Sequence, residues 1–238
     1  LAGMPNVVTI VSLDPCAELL ARAPMPRGLA DEEALPFADA SLDLAVSALS
    51  LHLVNDLPGT LAQIRRALKP DGLLLASLLG GNTLTELRQS WLAAESEIEG
   101  GASPRVAPFL DVRQAGALLQ RAGFALPVVD AETVTATYSS PLALMRDLRA
   151  MGATNMLCGR RRSALRRDTL ARTVAIYEQR FAGRDGRIPA TFEIITMTAW
   201  APDASQPQPL RPGSATMRLA DALGATEPPR DPSDRLED

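Results

Sequence analysis

Three strand-length apolar runs, separated by stretches with helical spacing, open the chain. Residues 7–13 are β-branched and stop at Asp14-Pro15. Residues 42–49 follow Asp39-Ala40-Ser41, and residues 73–79 follow the turn Lys69-Pro70-Asp71-Gly72. Apolar runs of this length without polar alternation read as strands buried on both faces, as in a parallel sheet. Between the first two, residues 16–23 suit a short helix that Pro24, Pro26 and Gly28 break. Between the second and third, residues 57–68 place Leu57, Leu61, Ile64 and Leu68 on one helical face, with Asp56 as N-cap and Pro58 in the first turn. Strand, helix, strand, helix, strand is the order of a doubly wound parallel sheet.

The second half changes rhythm. Helices are expected over residues 83–98 and 112–122, the latter capped by Asp111 and ended by Gly123, with a Gly- and Pro-rich loop over 99–108 between them. Residues 127–138 and 189–200 alternate polar and apolar positions, which predicts two strands pairing antiparallel at one sheet edge. Two helices, 141–151 and 165–181, fall between those strands, so residues 141–183 read as a helical insertion before the last strand. The expected fold class is α/β, a doubly wound and mostly parallel sheet, in a domain of residues 1–200. Residues 201–238 form a proline-rich, acidic tail expected to be partly disordered.

Composition narrows the chemistry. A net charge of −4 argues against a general nucleic-acid binder. The longest apolar runs are too short to span a bilayer, so no membrane insertion is expected. Cys16 and Cys158 make no disulfide framework and fit a reducing, cytoplasmic compartment. His52 is the single histidine, so neither a two-histidine, one-carboxylate iron site nor a three-histidine zinc site can be assembled, and no catalytic metal is expected. An apolar strand arrives almost at once with no initiating methionine, which suggests a truncated start.

Ligands of open α/β sheets bind at the carboxyl ends of the strands. Asp14 stands at such an end. Its carboxylate suits the two hydroxyls of a ribose, and it equally suits the start of the following helix. Asp31-Glu32 precedes the apolar Leu35-Pro36-Phe37 and is either an adenine-edge acceptor or a solvated turn. Ser47 and Ala48 are small enough to admit a ligand, and His52 is either a general base or a histidine holding the turn through a backbone hydrogen bond. Arg160, Arg161, Arg162, Arg166 and Arg167 are either a docking patch for an acidic partner or a solvated helix entrance. Gly80-Gly81 lacks the lysine and further glycine of a phosphate loop.

Several motifs together carry a resemblance. Residues 31–37, Leu42-Asp43-Leu44, Val46-Ser47, Leu49-Ser50-Leu51-His52 and Val54-Asn55-Asp56-Leu57-Pro58 resemble the BioC-like branch of class I S-adenosylmethionine (SAM)-dependent methyltransferases. Gly80-Gly81, Thr83-Leu84, Glu86-Leu87-Arg88, Glu99-Gly100-Gly101, Ser103-Pro104, Pro108-Phe109, Met151-Gly152, Asn155, Arg167-Asp168-Thr169, Pro189-Ala190-Thr191 and Gly213-Ser214-Ala215-Thr216 resemble the mitochondrial complex I assembly factor 5 family and its alphaproteobacterial relatives. The resemblance implies a Rossmann-like methyltransferase sheet and SAM as cofactor. In this reading Asp14 lies on the ribose, Pro15 against the adenine, Asp31 and Glu32 on the adenine edge, and Ser47 and Leu49 on the floor. The family's first strand and glycine-rich loop have no counterpart before Val7. Methyl transfer to a protein or small-molecule acceptor, arginine hydroxylation of a respiratory-complex subunit, and a non-catalytic scaffold all remain open, as does the oligomeric state.

Overall fold

The computed structural model describes residues 7–23 and 26–207, with the isolated positions 214, 217 and 224. Leu1–Asp203 forms one compact unit and Ala204–Asp238 another. The elements, all in the first unit, run β1 (Ser12–Asp14), α1 (Ala17–Leu20), β2 (Arg27–Leu29), β3 (Leu42–Ala48), α2 (Leu57–Ala67), β4 (Leu68–Leu79), α3 (Thr85–Glu99), α4 (Val112–Arg121), β5 (Ala125–Tyr138), α5 (Pro141–Ala150), α6 (Arg167–Phe181) and β6 (Ile188–Trp200). Most of the tail, and Gly213, Ala215 and Thr216 of the motif noted above, lie outside the described residues.

Helix starts follow local chemistry. Asp56 accepts the Gly59 N–H at 2.9 Å and has a proline just inside α2. Asp111 and Gln114 exchange side-chain and backbone bonds as a capping box at α4. Ser140 caps α5 through the Ala143 N–H. Each cap satisfies a backbone donor that the first helical turn leaves without an intrahelical partner.

β3 and β4 pair parallel, and β6 pairs antiparallel with both β4 and β5, giving the order β3-β4-β6-β5. The sheet is thus mixed, with its antiparallel half where the alternating sequences predict it. β1 and β2 pair parallel in a separate ribbon, and among the described residues no strand joins β1 to β3. The first strand is also shorter than its apolar run. Val8 is 97% exposed and residues 7–11 have no ladder, because a strand needs a partner and the three residues of β2 reach only Ser12–Asp14. β2 itself was hidden from pattern reading, since Pro26 and Gly28 mark it as a break. The expected turn at 69–72 is instead a bulge inside β4: the register slips between Leu42 and Leu44, and Asp71 takes φ +60°.

Strand alternation sorts the core into two layers. Leu74, Ala76 and Leu78 of β4 and Ile195, Met197 and Ala199 of β6 share a face with α2 and α4. Ile188 and Ala190 of β6 point to the other face, where α3, α5 and α6 bring Leu87, Trp91, Leu144 and Tyr177. The helices α5 and α6 that fall between β5 and β6 therefore share this layer with α3.

The C-terminal half of α3 carries a buried ion pair. Glu95 is fully buried, receives the Ser103 N–H at 2.6 Å and Arg105 Nε at 2.7 Å, and Arg105 stacks over Trp91 at 4.9 Å. Burial alone would raise its carboxyl pKa, but the bonds from Ser103 and Arg105 outweigh it and hold the group below the usual range. Together these bonds pin loop 100–108 onto α3. Glu95→Ala is expected to lower the unfolding free energy by about 3 kcal/mol in urea titration, because it strands Arg105 and the Ser103 amide. Glu97→Ala, at the exposed pair with Arg172, is expected to leave the midpoint nearly unchanged. Because the folded pKa of Glu95 is depressed, its contribution is present above pH 4.5 and lost as the pH falls below it.

Candidate functional site at the strand ends

Asp14 ends β1, half-buried, and its Oδ1 accepts the Cys16 N–H at 2.7 Å. That bond makes an Asx turn leading into α1, but the N-cap of the helix is Cys16 with no side-chain cap, so Asp14 is not the N-cap. The turn uses only one carboxylate oxygen, and Oδ2 has no hydrogen-bond partner among the described residues. Pro15 is exposed beside it. In the parallel ladder Asp14 faces Leu29, which puts Asp31 just beyond the neighbouring strand tip. Asp31 Oδ1 accepts the Glu33 N–H at 2.8 Å, an Asx turn that leaves the other oxygen facing outward with the side chain exposed. Glu32 is half-buried and makes no hydrogen bond among the described residues.

The loop after β2 is tied to the four-stranded sheet. Gln63 on α2 accepts the Leu35 N–H at 3.0 Å and donates to the Glu33 carbonyl at 2.7 Å. Its side-chain amide thus bonds the loop backbone as a neighbouring strand would. The Glu33 carboxylate accepts both the backbone and side-chain N–H of Asn55, at the start of α2. These bonds hold Asp31-Glu32 beside the loop that follows β3. Glu33, Asn55 and Gln63 were not legible as site residues, because each is an unremarkable polar residue until the fold brings residues 22 to 30 positions apart together.

At the end of β3, Ser47 Oγ lies 2.9 Å from Ser50 Oγ, and Leu49 adopts φ +56° with its side chain 46% exposed. The Leu49 N–H donates to the Ser77 carbonyl of β4 at 2.9 Å, which fixes this sharp corner. Leu51 is buried beneath it. His52 sits edge-on to Phe109, ring centroids 5.7 Å apart, and its Nδ1 is buried without a partner. Among the described residues, the backbone hydrogen bond expected as one role for His52 is not made. Burial holds its pKa below the ordinary 6.5, so the ring is neutral at neutral pH.

The end of β4 closes the same side. Glu193 of β6 accepts the Asn82 backbone N–H at 3.0 Å and the Asn82 amide at 2.8 Å, while Thr83 bonds both the Glu193 carbonyl and its N–H. A Cβ at Gly80 would meet the Glu193 carboxylate, so a larger residue there would make that side chain shift. Gly80 thus marks a close approach of backbone to side chain, whereas a Cβ at Gly81 would make only ordinary contacts. A shallow cleft of about 490 Å³ lined by Tyr138, Arg146 and Asp147 lies apart from the strand tips, on α5 and β5, and brings none of the expected site residues together.

The methyltransferase domain family matches residues 2–76. The mitochondrial arginine-hydroxylase NDUFAF5 of Danio rerio is 45% identical over 193 residues, covering 81% of this chain and 60% of that protein. A malonyl-[acyl-carrier protein] O-methyltransferase of Xylella fastidiosa is 40% identical over 201 residues, covering 81% of this chain and 66% of its own length. The chain thus spans about 60% of the length of the curated relatives it matches. Among solved structures, a putative methyltransferase of Bacillus halodurans superposes with a TM-score of 0.52 at 16% identity, covering 81% of this chain and 83% of the other.

The neutral His52 sets a pH dependence. The unfolded chain binds a proton at 6.5 while the folded one resists it, so stability is full above that pH and falls as the pH drops below it. Thermal midpoints measured across this range are expected to decline in the wild type and to decline less in His52→Gln.

Proposed function

Starting from a chain that has the class I methyltransferase fold and homologues in both an arginine-hydroxylase and an O-methyltransferase group, we propose that it is a SAM-dependent methyltransferase-like protein. Its acceptor is a protein or a small molecule in the cytoplasm. The observation that supports this reading is the Asp14–Leu29 pairing, which leaves Asp14 and Asp31 near adjacent strand tips, with the turn after β2 tied through Glu33 to Asn55 in the loop that follows β3. The donor set fits an adenosine. Asp14 Oδ2 is an open acceptor for ribose hydroxyls, Asp31 and Glu32 offer acceptors to an adenine amino group, and Leu29 and Leu49, 64% and 46% exposed, give apolar cover for the ring.

The bound cofactor would supply a methyl group from its sulfonium to a nucleophile, with S-adenosylhomocysteine as the leaving thioether. The chain's part is to bind the adenosine, to orient it over the Ser47–Leu49 corner, and at His52 to receive the acceptor's proton on a neutral ring nitrogen. Among the described residues no glycine-rich loop precedes β1.

A second reading is hydroxylation of an arginine in a respiratory-complex subunit, favoured by the 45% identity to an arginine-hydroxylase. It needs an oxidant in addition to the groups described, whereas methyl transfer needs only the donor held in line.

Calorimetry on the full-length protein is expected to show S-adenosylhomocysteine binding that Asp14→Ala weakens by about tenfold or more, the worth of a charge-assisted hydrogen-bond pair. Unchanged affinity removes Asp14 from the site. Mass spectrometry of respiratory-complex subunits from strains with and without the gene separates the two readings: methylation adds a CH₂ unit, hydroxylation one oxygen.

A further inference from the structure

The segment joining α5 to α6 breaks two local rules at once. It exposes large apolar side chains, with Met151, Met156 and Leu165 at 61%, 58% and 40%. It also places Arg166 at the N-cap of α6 and Arg167 at its first position, with no capping side chain, where the helix dipole disfavours positive charge. Five arginines fall within residues 160–167 of a chain whose net charge is −4. Solvation of a helix entrance calls for neither the dipole penalty nor the methionines.

The partners of these arginines differ in kind. Arg161 is paired with Glu99, a carboxylate only 6% exposed, which also accepts from Thr169 at 2.7 Å. Arg160 bonds the Leu157 carbonyl at 3.0 Å, and Asn155 reaches across to the Pro104 carbonyl at 2.7 Å. Arg166 makes a long 3.5 Å contact with exposed Asp168. Arg162 and Arg167 have no partner among the described residues and are exposed. The loop is therefore held in one shape from beneath by Glu99 and Asn155, while two guanidinium groups remain free at its surface. Preorganised arginines lower the ordering cost of binding.

We propose that residues 151–167 form a docking surface for an acidic segment of a partner protein, with Arg162 and Arg167 pairing its carboxylates and Met156 and Leu165 covering its apolar side chains. Charge complementarity assigns the sign of the partner. The choice of a protein over an anionic membrane rests on two features. Arginine with methionine is the composition enriched at protein interfaces. The loop also has neither an aromatic anchor nor an amphipathic helix with which to enter a bilayer interface. This inference stands independently of the cofactor reading.

The test uses the full chain and a fluorescein-labelled peptide of alternating Asp and Leu, read by anisotropy at low salt. The double variant R162E/R167E is expected to bind at least about tenfold more weakly, from lost pairing and added repulsion. R113E/R121E, which makes the same change in charge on α4 in the opposite helical layer, is expected to bind as the wild type does. The far-ultraviolet dichroism of R162E/R167E should match the wild type, since neither residue has a partner to lose. An equal effect of both double variants, no peptide binding by the wild type, or binding to phosphatidylcholine–phosphatidylglycerol vesicles in place of the peptide would each overturn the proposal.

Discussion

Gln63 holds the site together. The four-stranded sheet and the β1–β2 ribbon share no ladder among the described residues, so their strand ends need another fastening. It comes from one side-chain amide bonding the backbone at Glu33 and Leu35, and from the Glu33 carboxylate bonding Asn55. Both donor–acceptor faces of Gln63 are consumed by this loop. A residue with only one of them, or with a charge, would leave a backbone group of a half-buried segment without a partner. Through this fastening the acidic turn after β2 stays tied to α2 and to the loop that follows β3.

Much of this architecture is legible in the sequence where a local cause suffices. Asp56 and Asp111 mark helix starts because each caps its own helix, and the alternation over β5 and β6 announces a sheet edge because it has period two. The same reading fails where pairing partners decide. Residues 7–11 are β-branched but carry no ladder, whereas Arg27–Leu29 is a strand between two breakers. The apolar run of β4 suggested burial on both faces. Leu74, Ala76 and Leu78 are buried, but Leu73, Leu75 and Leu79 are only half so.

The candidate site divides along the same line. Asp14, Asp31 and Ser47 stand out as candidates because a strand end followed by a carboxylate or a small residue is a local pattern, while Leu49 enters only through the family resemblance. Their neighbours Gln63, Asn55, Phe109 and Glu193 do not stand out, since each acts across tens of residues. Glu193 shows the difference clearly. It reads as one polar position in an alternating strand, yet it sets the turn after β4 and packs against Gly80. His52 was visible as the lone histidine. Its burial against Phe109, and the unpartnered nitrogen that follows from it, emerge only in three dimensions.

The claim that the strand tips form one adenosine-binding crevice is tested most directly by a crystal structure of the complete protein with S-adenosylhomocysteine. The account predicts ribose hydroxyls within hydrogen-bond distance of Asp14 Oδ2 and the adenine beside Asp31-Glu32, with Gln63 still bonded to the loop. An adenosyl group seated elsewhere, for instance against Tyr138 and Arg146, with the two aspartates facing solvent, would contradict it.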